Sequence, residues 1–215
     1  MTKVMTPSVD TITAGQIGKI QELLGAGLRK SGLLSEPTQN VIEQQGDSLV
    51  ADLVAVVRKR VEGQLLLAPR SKVSLVSGVH NPDVFYQTRS GLYVWDDFRS
   101  RIVAKAKPVA ADTKYSVAVS ELTKDATDEE IEGALPTEHL FDESAVCAIV
   151  AAMIEKQKNG EPGDLLNNGY ANLLYTSSCV VSVYWNAGDR RWLVFAWYRG
   201  DDGWRAGRRV LSPAN

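Results

Sequence analysis

Arginine and aromatic side chains are concentrated near the end of the sequence. Aromatic rings stack on nucleobases and arginine pairs with phosphate, so this combination on a sheet is typical of single-stranded nucleic-acid binding. Arginine is also enriched in protein interfaces, where it pairs with acidic groups. The candidate binding residues are Arg190, Arg191, Trp192, Trp197, Tyr198, Arg199, Trp204, Arg205, Arg208 and Arg209. Because no RNP-type motif is present, we expect protein contact first and nucleic acid as the alternative; tryptophans that prove buried would belong to the core.

One cysteine could support nucleophilic catalysis. Cys147 lies in the first half of a predicted helix, where the helix dipole lowers a thiol pKa, and His139 is near in sequence. Cys147 also stands between Val146 and Ala148, and in such a setting cysteine behaves as a small apolar residue. A cysteine-dependent enzyme is therefore a further alternative, and no residue is assigned a catalytic role.

The two histidines give weak signals for a metal. His80 with Asp83, and His139 with Asp142 and Glu143, lack the HExxH or paired-cysteine spacing that makes a metal motif specific. The sequence contains neither a Walker loop nor GxGxxG. We expect no metal and no other cofactor.

The charges of the chain balance in total but not along its length. The 215 residues carry 24 basic and 26 acidic groups, a net charge of −2, which excludes a protein dominated by one sign of charge. Residues 1–63 carry 7 basic and 7 acidic groups, 64–111 carry 7 and 3, 112–164 carry 4 and 13, and 165–215 carry 6 and 3. Such blocks either pair internally or present faces of opposite sign to partners.

The sequence contains no candidate membrane span. A span needs about 20 apolar residues, and the best run, 146–154, is far shorter. The first residues, MTKVMTPSVD, lack the apolar core of a secretory signal. We therefore expect a cytoplasmic chain with no membrane partner.

Residues 1–63 are predicted to form a small three-helix module. Thr13 and Gln16 make a capping box before the first helix, Ser35 begins the second, and Asp47 begins the third after Gly46. The first and third helices carry apolar stripes that must be buried against something. The stripes are Ile17, Ile20, Leu24 and Leu28, and Leu49, Val50, Leu53, Val54, Val57 and Val61.

Two uses of this module stay open at the sequence level. Three short helices could form a helix-turn-helix that reads DNA, although the third helix lacks Arg, Asn and Gln early in its exposed face. A bundle for docking or assembly is the favoured interpretation. Four glycines in the first helix indicate either close approach by another helix, including one from a second copy, or a weakly stable segment; they are Gly15, Gly18, Gly25 and Gly27.

Residues 72–215 are predicted to form an α+β domain after a junction at 64–71. Thr127 with Glu130 predicts one helix start, and Asp142 opens a helix with an apolar face. Three strand-like runs follow at 179–185, 191–198 and 204–211, joined by NAGD and RGDDG turns. The expected architecture is a three-stranded antiparallel meander packed on the helix that begins after Asp142.

Several strings of the sequence resemble an uncharacterised, modular group of bacterial hypothetical proteins. They include TITAGQIGKIQELLGAGLRKSGL, SLVADLVAVVRKRVE, GLYVWDDFRSRIVAKAKP, HLFDESAVCAIVAAMI, LLNNGYANLLY and WRAGRRVLSP. The resemblance implies two modules, with similar helical segments preceding different carboxy-terminal halves. It attaches no activity, ligand or catalytic residue to any position. We therefore expect a non-enzymatic binding or structural protein with a protein partner or self-association.

Overall fold

The computed structural model describes residues 12–200 and 203–214. The chain divides into two compact units, the first ending at Val57 and the second beginning at Arg58. The boundaries predicted from sequence, with a junction at 64–71, stay a prediction. The opening MTKVMTPSVD and the Asp201 and Asp202 of the RGDDG turn lie outside the described residues.

The first unit is helical. Helix α1 covers Ala14–Lys30, and the predicted capping box forms: the Thr13 hydroxyl accepts from the Gln16 N–H, and the Gln16 side chain accepts from the Thr13 N–H. Helix α2, Ser35–Glu62, extends past the division at Val57. At Gln45 the backbone leaves helical geometry, with φ −132° and ψ 17°, so two helical segments meet there at a kink. The kink lies next to Gly46, a poor helix former, where the sequence predicts the second helix to end.

The second unit is an α+β structure built on a seven-stranded mixed sheet. The described strands are β1 (Leu67–Ser77), β2 (Leu92–Val94), β3 (Thr113–Leu122), β4 (Ala126–Thr127), β5 (Asn172–Tyr175), β6 (Cys179–Asn186), β7 (Arg191–Tyr198), β8 (Gly203–Trp204) and β9 (Arg209–Pro213). The strand order in the large sheet is β1-β3-β9-β5-β6-β7-β2, and the pairs β5–β9 and β2–β7 are parallel. A separate two-stranded sheet pairs β4 with β8.

Four helices and one π-helical turn accompany this sheet in the described chain. They are α3 (Pro82–Phe85), α4 (Asp96–Phe98), the π-helical turn at Arg99–Val103, α5 (Asp128–Ala134) and α6 (Glu143–Lys156). As predicted, Thr127 and Glu130 form a capping box on α5, and Asp142 caps α6 by accepting from the Ala145 N–H at 2.8 Å. None of the described helices is long and apolar enough to cross a membrane.

Alternation along the strands gives the sheet two different faces. On one face, α6 packs Val146, Ile149 and Met153 into a core shared with residues of β6 and β7, including Val183 and Trp192. On the other face, α5 and the β4–β8 pair cover a smaller core over part of the sheet, with Ile131 from α5 at its centre. Strand β7 is apolar on both faces, but only the face with Trp192, Val194 and Ala196 belongs to either core.

The predicted meander is only partly present. Strands β6 and β7 form the expected antiparallel hairpin. The third run does not pair with β7: Gly207, at φ +85°, divides it into β8, which pairs with β4, and β9, which lies between β3 and β5. The strand that pairs with the other edge of β7 is β2, which lies about one hundred residues earlier in the chain.

Candidate binding surface

Five aromatic side chains lie together on the sheet face opposite α6, and we call them the aromatic patch. They are Tyr93 on β2, Trp95 just after it, Tyr184 on β6, and Phe195 and Trp197 on β7. The patch exists because β2 runs parallel to β7 with Val94 opposite Val194, so Tyr93 and Trp95 project to the same side as Phe195. None of the five belongs to the core under α5.

The rings of the aromatic patch stack on one another. Phe195 is at the centre, with ring centroids 4.9 Å from Trp95, 5.5 Å from Tyr184 and 5.8 Å from Trp197, all near parallel. Trp95 and Trp197 at the two sides are 43% and 42% exposed. The patch therefore offers mainly ring edges and the outer faces of two indoles.

Two of the predicted binding residues are core residues. Trp192 is fully buried against α6, and its indole N–H donates to the Gln157 carbonyl at 2.8 Å. Trp204 is also buried, and its indole N–H donates to Asp128 Oδ1 at 2.6 Å. Both indole nitrogens are bonded inside the protein, so neither ring is open to a partner.

Arg199 and Trp204 belong to a buried cluster built on α5. The Arg199 guanidinium makes a two-point ion pair with the Glu132 carboxylate. Asp128, only 3% exposed, accepts from Trp204, from the Tyr175 hydroxyl at 2.8 Å and from the Gly200 N–H at 2.8 Å. Burial, followed by the contact with Asp128, raises the pKa of Tyr175 and keeps its hydroxyl a donor. These groups hold the described ends of the β7–β8 connection in place.

Arg208 and Arg209 are also tied into the fold. The Arg209 guanidinium donates to the carbonyls of Gly163 and Asp164 at 3.1 and 2.6 Å. Arg208 lies near the rings of Tyr170 and Trp204, 6.0 and 5.6 Å from their centroids, and burial lowers its pKa. Arg205, by contrast, is exposed.

Tyr198 faces away from the aromatic patch, because it has the opposite parity on β7 to Trp197. It is 60% exposed, and the guanidinium carbon of Arg101 lies 3.4 Å from its ring centroid. Arg101 comes from the π-helical turn, which follows directly after α4. Tyr198 and Arg101 therefore form a cation–π pair on the side of the sheet that α6 covers elsewhere.

Arg190 and Arg191 lie at the β6–β7 turn and line a cavity of about 810 Å³, which we call the basic cavity. Its other charged lining residues are Arg89, Lys158, Glu155 and Asp189. The guanidinium of Arg191 lies 4.9 Å above the Tyr93 ring and donates to Asp189 at 2.8 Å. The basic cavity thus adjoins one end of the aromatic patch through Arg191.

The residues considered above for catalysis or metal binding, Cys147, His139 and His80, do not line the basic cavity. Cys147 is fully buried in α6, and burial raises the pKa of its thiol, the opposite of what a reactive cysteine needs.

His139 Nδ1 lies 2.8 Å from the Pro136 carbonyl, and its Nε2 lies 3.6 Å from Glu132. His80 is buried beside Phe85 and Tyr86, and burial lowers its pKa. Across the described residues, no group of three or more His, Cys, Asp and Glu side chains is placed to hold a metal ion.

The predicted set therefore does not form one surface. Trp197 and Arg191 lie at the aromatic patch, while the core, the α5 cluster and the Gly163 loop hold most of the others. Sequence reasoning missed Tyr93, Trp95, Tyr184 and Phe195, although the aromatic-rich run at 92–95 was a visible signal. Only the pairing of β2 with β7 brings that run to Phe195.

No protein-family model, no curated protein and no solved structure matches the chain.

Proposed function

We propose that this protein is a non-enzymatic binding protein that self-associates through its helical unit and presents the aromatic patch to a protein partner. The observation that carries the proposal is the uncovered apolar surface of α1 and α2. Helix α1 contains no buried residue, although its stripe of Ile17, Ile20, Leu24 and Leu28 has the spacing of a core-facing helix side. Those four side chains are between 37% and 49% exposed.

The same feature recurs on α2. Leu49, Val50 and Val54 are 39%, 59% and 50% exposed, although they form the stripe that the sequence predicts to be buried. Isolated helices are only marginally stable in water, and their stability in proteins comes from burial of an apolar face. Large exposed apolar patches mark interaction sites. The two helices leave each other's apolar stripes exposed. Another molecule must therefore bury these stripes in the proposed assembly.

A second copy of the same chain fits this surface. Residues 1–63 carry 7 basic and 7 acidic groups, so two copies can meet without net charge repulsion. A strongly charged partner would find no net electrostatic attraction at this neutral segment. Gly27 lies about 60° round the helix from Leu24, beside the α1 stripe. An added Cβ at Gly27 meets no described atom within 4 Å, so packing inside the unit does not require glycine. Close approach by another helix would require it.

The aromatic patch is the proposed surface for a partner protein. Aromatic side chains and arginine are enriched at the centres of protein interfaces, and Arg191 adjoins Tyr93. Single-stranded nucleic acid remains the alternative occupant, supported by the arginines of the basic cavity. Base stacking requires open ring faces, and the patch offers them only at the outer sides of Trp95 and Trp197, because the faces of Phe195 lie against its neighbours. That geometry favours the edge contacts of a protein partner.

Sedimentation equilibrium of the full chain and of single substitutions tests the self-association. Leu24→Lys and Val54→Lys each place a charge in a proposed interface, and we expect each to weaken the dimer about tenfold or more, the effect of losing one buried aliphatic side chain. Leu34→Lys is the matched control, because Leu34 is 72% exposed and lies in the connection between α1 and α2, outside both stripes. The proposal fails if the unmodified chain is monomeric at every concentration, or if the control and Leu24→Lys have equal effects.

A further inference from the structure

The basic cavity carries more positive than negative charge among its lining side chains. Its lining includes four cationic side chains, Arg89, Lys158, Arg190 and Arg191, and two acids. Asp189 accepts from Arg191 at 2.8 Å, and Glu155 accepts from Lys158 at 2.8 Å. Four positive charges less two negative ones leave a net charge of +2, and the two acids are already paired.

Arg190 is held in a backbone conformation that arginine does not favour. Its φ is +51°, in the left-handed region where glycine is the usual residue, because a Cβ clashes there with the neighbouring carbonyl. The side chain is exposed and makes no hydrogen bond or ion pair to any residue that the structure describes. An arginine that strains the turn and stabilises no contact in the fold points to a role in binding.

Arg89 is the second cation without an acidic partner at this site. Its Nη1 donates to the carbonyls of Phe85 and Gln87, and its guanidinium carbon lies 4.7 Å from the centroid of the Phe85 ring. Its Nε and Nη2 have no acceptor among the described residues and remain for an anion. The chain turns at Ser90 and Gly91, and the turn is fixed by paired hydrogen bonds of 2.9 and 3.0 Å between the backbones of Arg89 and Leu92. The N–H groups of Ser90 and Gly91 likewise have no acceptor in the described chain.

We propose that the basic cavity binds the phosphate group of a small phosphomonoester, with Arg190 and Arg89 as its principal charged contacts. A phosphomonoester carries a charge of about −1.5 to −2 at neutral pH, which matches the net +2 of the lining. Guanidinium groups and backbone N–H groups are the usual phosphate ligands. The cavity volume of about 810 Å³ lies within the range typical of small-molecule sites. A nucleic-acid backbone is a weaker match, since each phosphodiester carries a single charge.

Isothermal titration of the full chain tests this site, with glycerol 3-phosphate and inorganic phosphate as probes and sodium chloride at equal ionic strength as the blank. We expect both phosphates to bind, and Arg190→Gly to weaken that binding at least about tenfold. Arg190→Gly should fold at least as well as the unmodified chain, because glycine suits the positive φ. Arg205→Ala is the matched control, since it removes one exposed arginine that does not line the cavity.

Three results would overturn the proposal. They are no phosphate binding above the chloride blank, equal losses in Arg190→Gly and Arg205→Ala, or binding of oligothymidylate that depends on Arg190 while glycerol 3-phosphate does not bind. The last result would assign the arginines to the nucleic-acid alternative. The Leu24→Lys chain should bind phosphate like the unmodified chain, so the cavity and the self-association can fail independently.

Discussion

At the scale of single residues, the arginines near the end of the chain have separate roles. Arg199 pairs with Glu132, in the acidic stretch 112–164, and Arg209 bonds to backbone carbonyls of that stretch. Arg191 pairs with its neighbour Asp189, while Arg190 and Arg205 are exposed. The opposite charges of the two segments are therefore satisfied only in part within the described chain. Of these two exposed arginines, Arg190 lines the basic cavity and Arg205 does not.

Asp128 should be the most sensitive acidic residue of the second unit. The Asp128 carboxylate accepts hydrogen bonds from Tyr175, Trp204 and Gly200. Asp128→Asn removes its negative charge and replaces one carboxylate oxygen with an amide NH₂, which cannot accept, so at least one buried donor loses a strong acceptor. We expect a loss of about 2 kcal/mol in the free energy of unfolding, measured with urea. Asp96→Asn, at an exposed site without such bonds, should change it by less than about 0.5 kcal/mol. Equal effects of the two substitutions would refute a buried acceptor role for Asp128.

At the scale of elements, the end of α6 is fixed by the hairpin it packs against. Gln157 follows the helix, is 2% exposed, and accepts from Trp192 through its carbonyl and from the Leu165 N–H through its side chain at 2.9 Å. Gly160 then turns the chain with φ +71° directly over the Trp185 indole. The buried hairpin thus determines where the chain can go after the helix.

Gly160→Ala should be more damaging than an alanine at another glycine with positive φ. A Cβ at Gly160 would overlap the Trp185 ring, whereas a Cβ at Gly169, with φ +88°, meets nothing within 4 Å. We expect Gly169→Ala to cost about 1 kcal/mol from backbone strain alone. Gly160→Ala should cost about 1 to 3 kcal/mol more, the penalty of overpacking. Urea unfolding of both variants measures the difference, and a difference near zero would mean that Trp185 moves aside freely.

At the scale of the whole molecule, the two units differ in how they are stabilised. The second unit buries its apolar side chains in two cores, between the sheet and α6 and between the sheet and α5. The helical unit exposes its apolar stripes and depends on association in our proposal. The two units should therefore respond differently to dilution.

Thermal unfolding at several protein concentrations should separate the two units. All five tryptophans lie after Arg58, so their fluorescence reports the second unit, whereas helical circular dichroism includes α1 and α2. We expect a helical transition whose midpoint rises with concentration, because association stabilises only the associated state, and a fluorescence midpoint that stays constant. Leu24→Lys should lower the helical transition and leave fluorescence unchanged. Coincident transitions at every concentration would contradict independent units.

Local hydrogen bonding made part of this architecture predictable from the sequence. Thr13 with Gln16, Thr127 with Glu130, and Asp142 identify helix starts because each cap joins groups three residues apart. The apolar periodicity after Asp142 likewise predicts a buried helix, and the NAGD turn predicts the β6–β7 hairpin. These features depend on neighbours along the chain, so the sequence by itself determined them.

Tertiary structure alone decided the candidate surfaces. The parallel pairing of β2 with β7 brings Trp95 to Phe195, and the same sheet buries Trp192 while leaving Trp197 exposed. The pairing of β8 with β4 places Trp204 beside Asp128 and removes it from the predicted surface. Such pairings join residues far apart in sequence, as Leu92 and Trp192 are, and they depend on which faces the whole core can bury. No local spacing encodes that property.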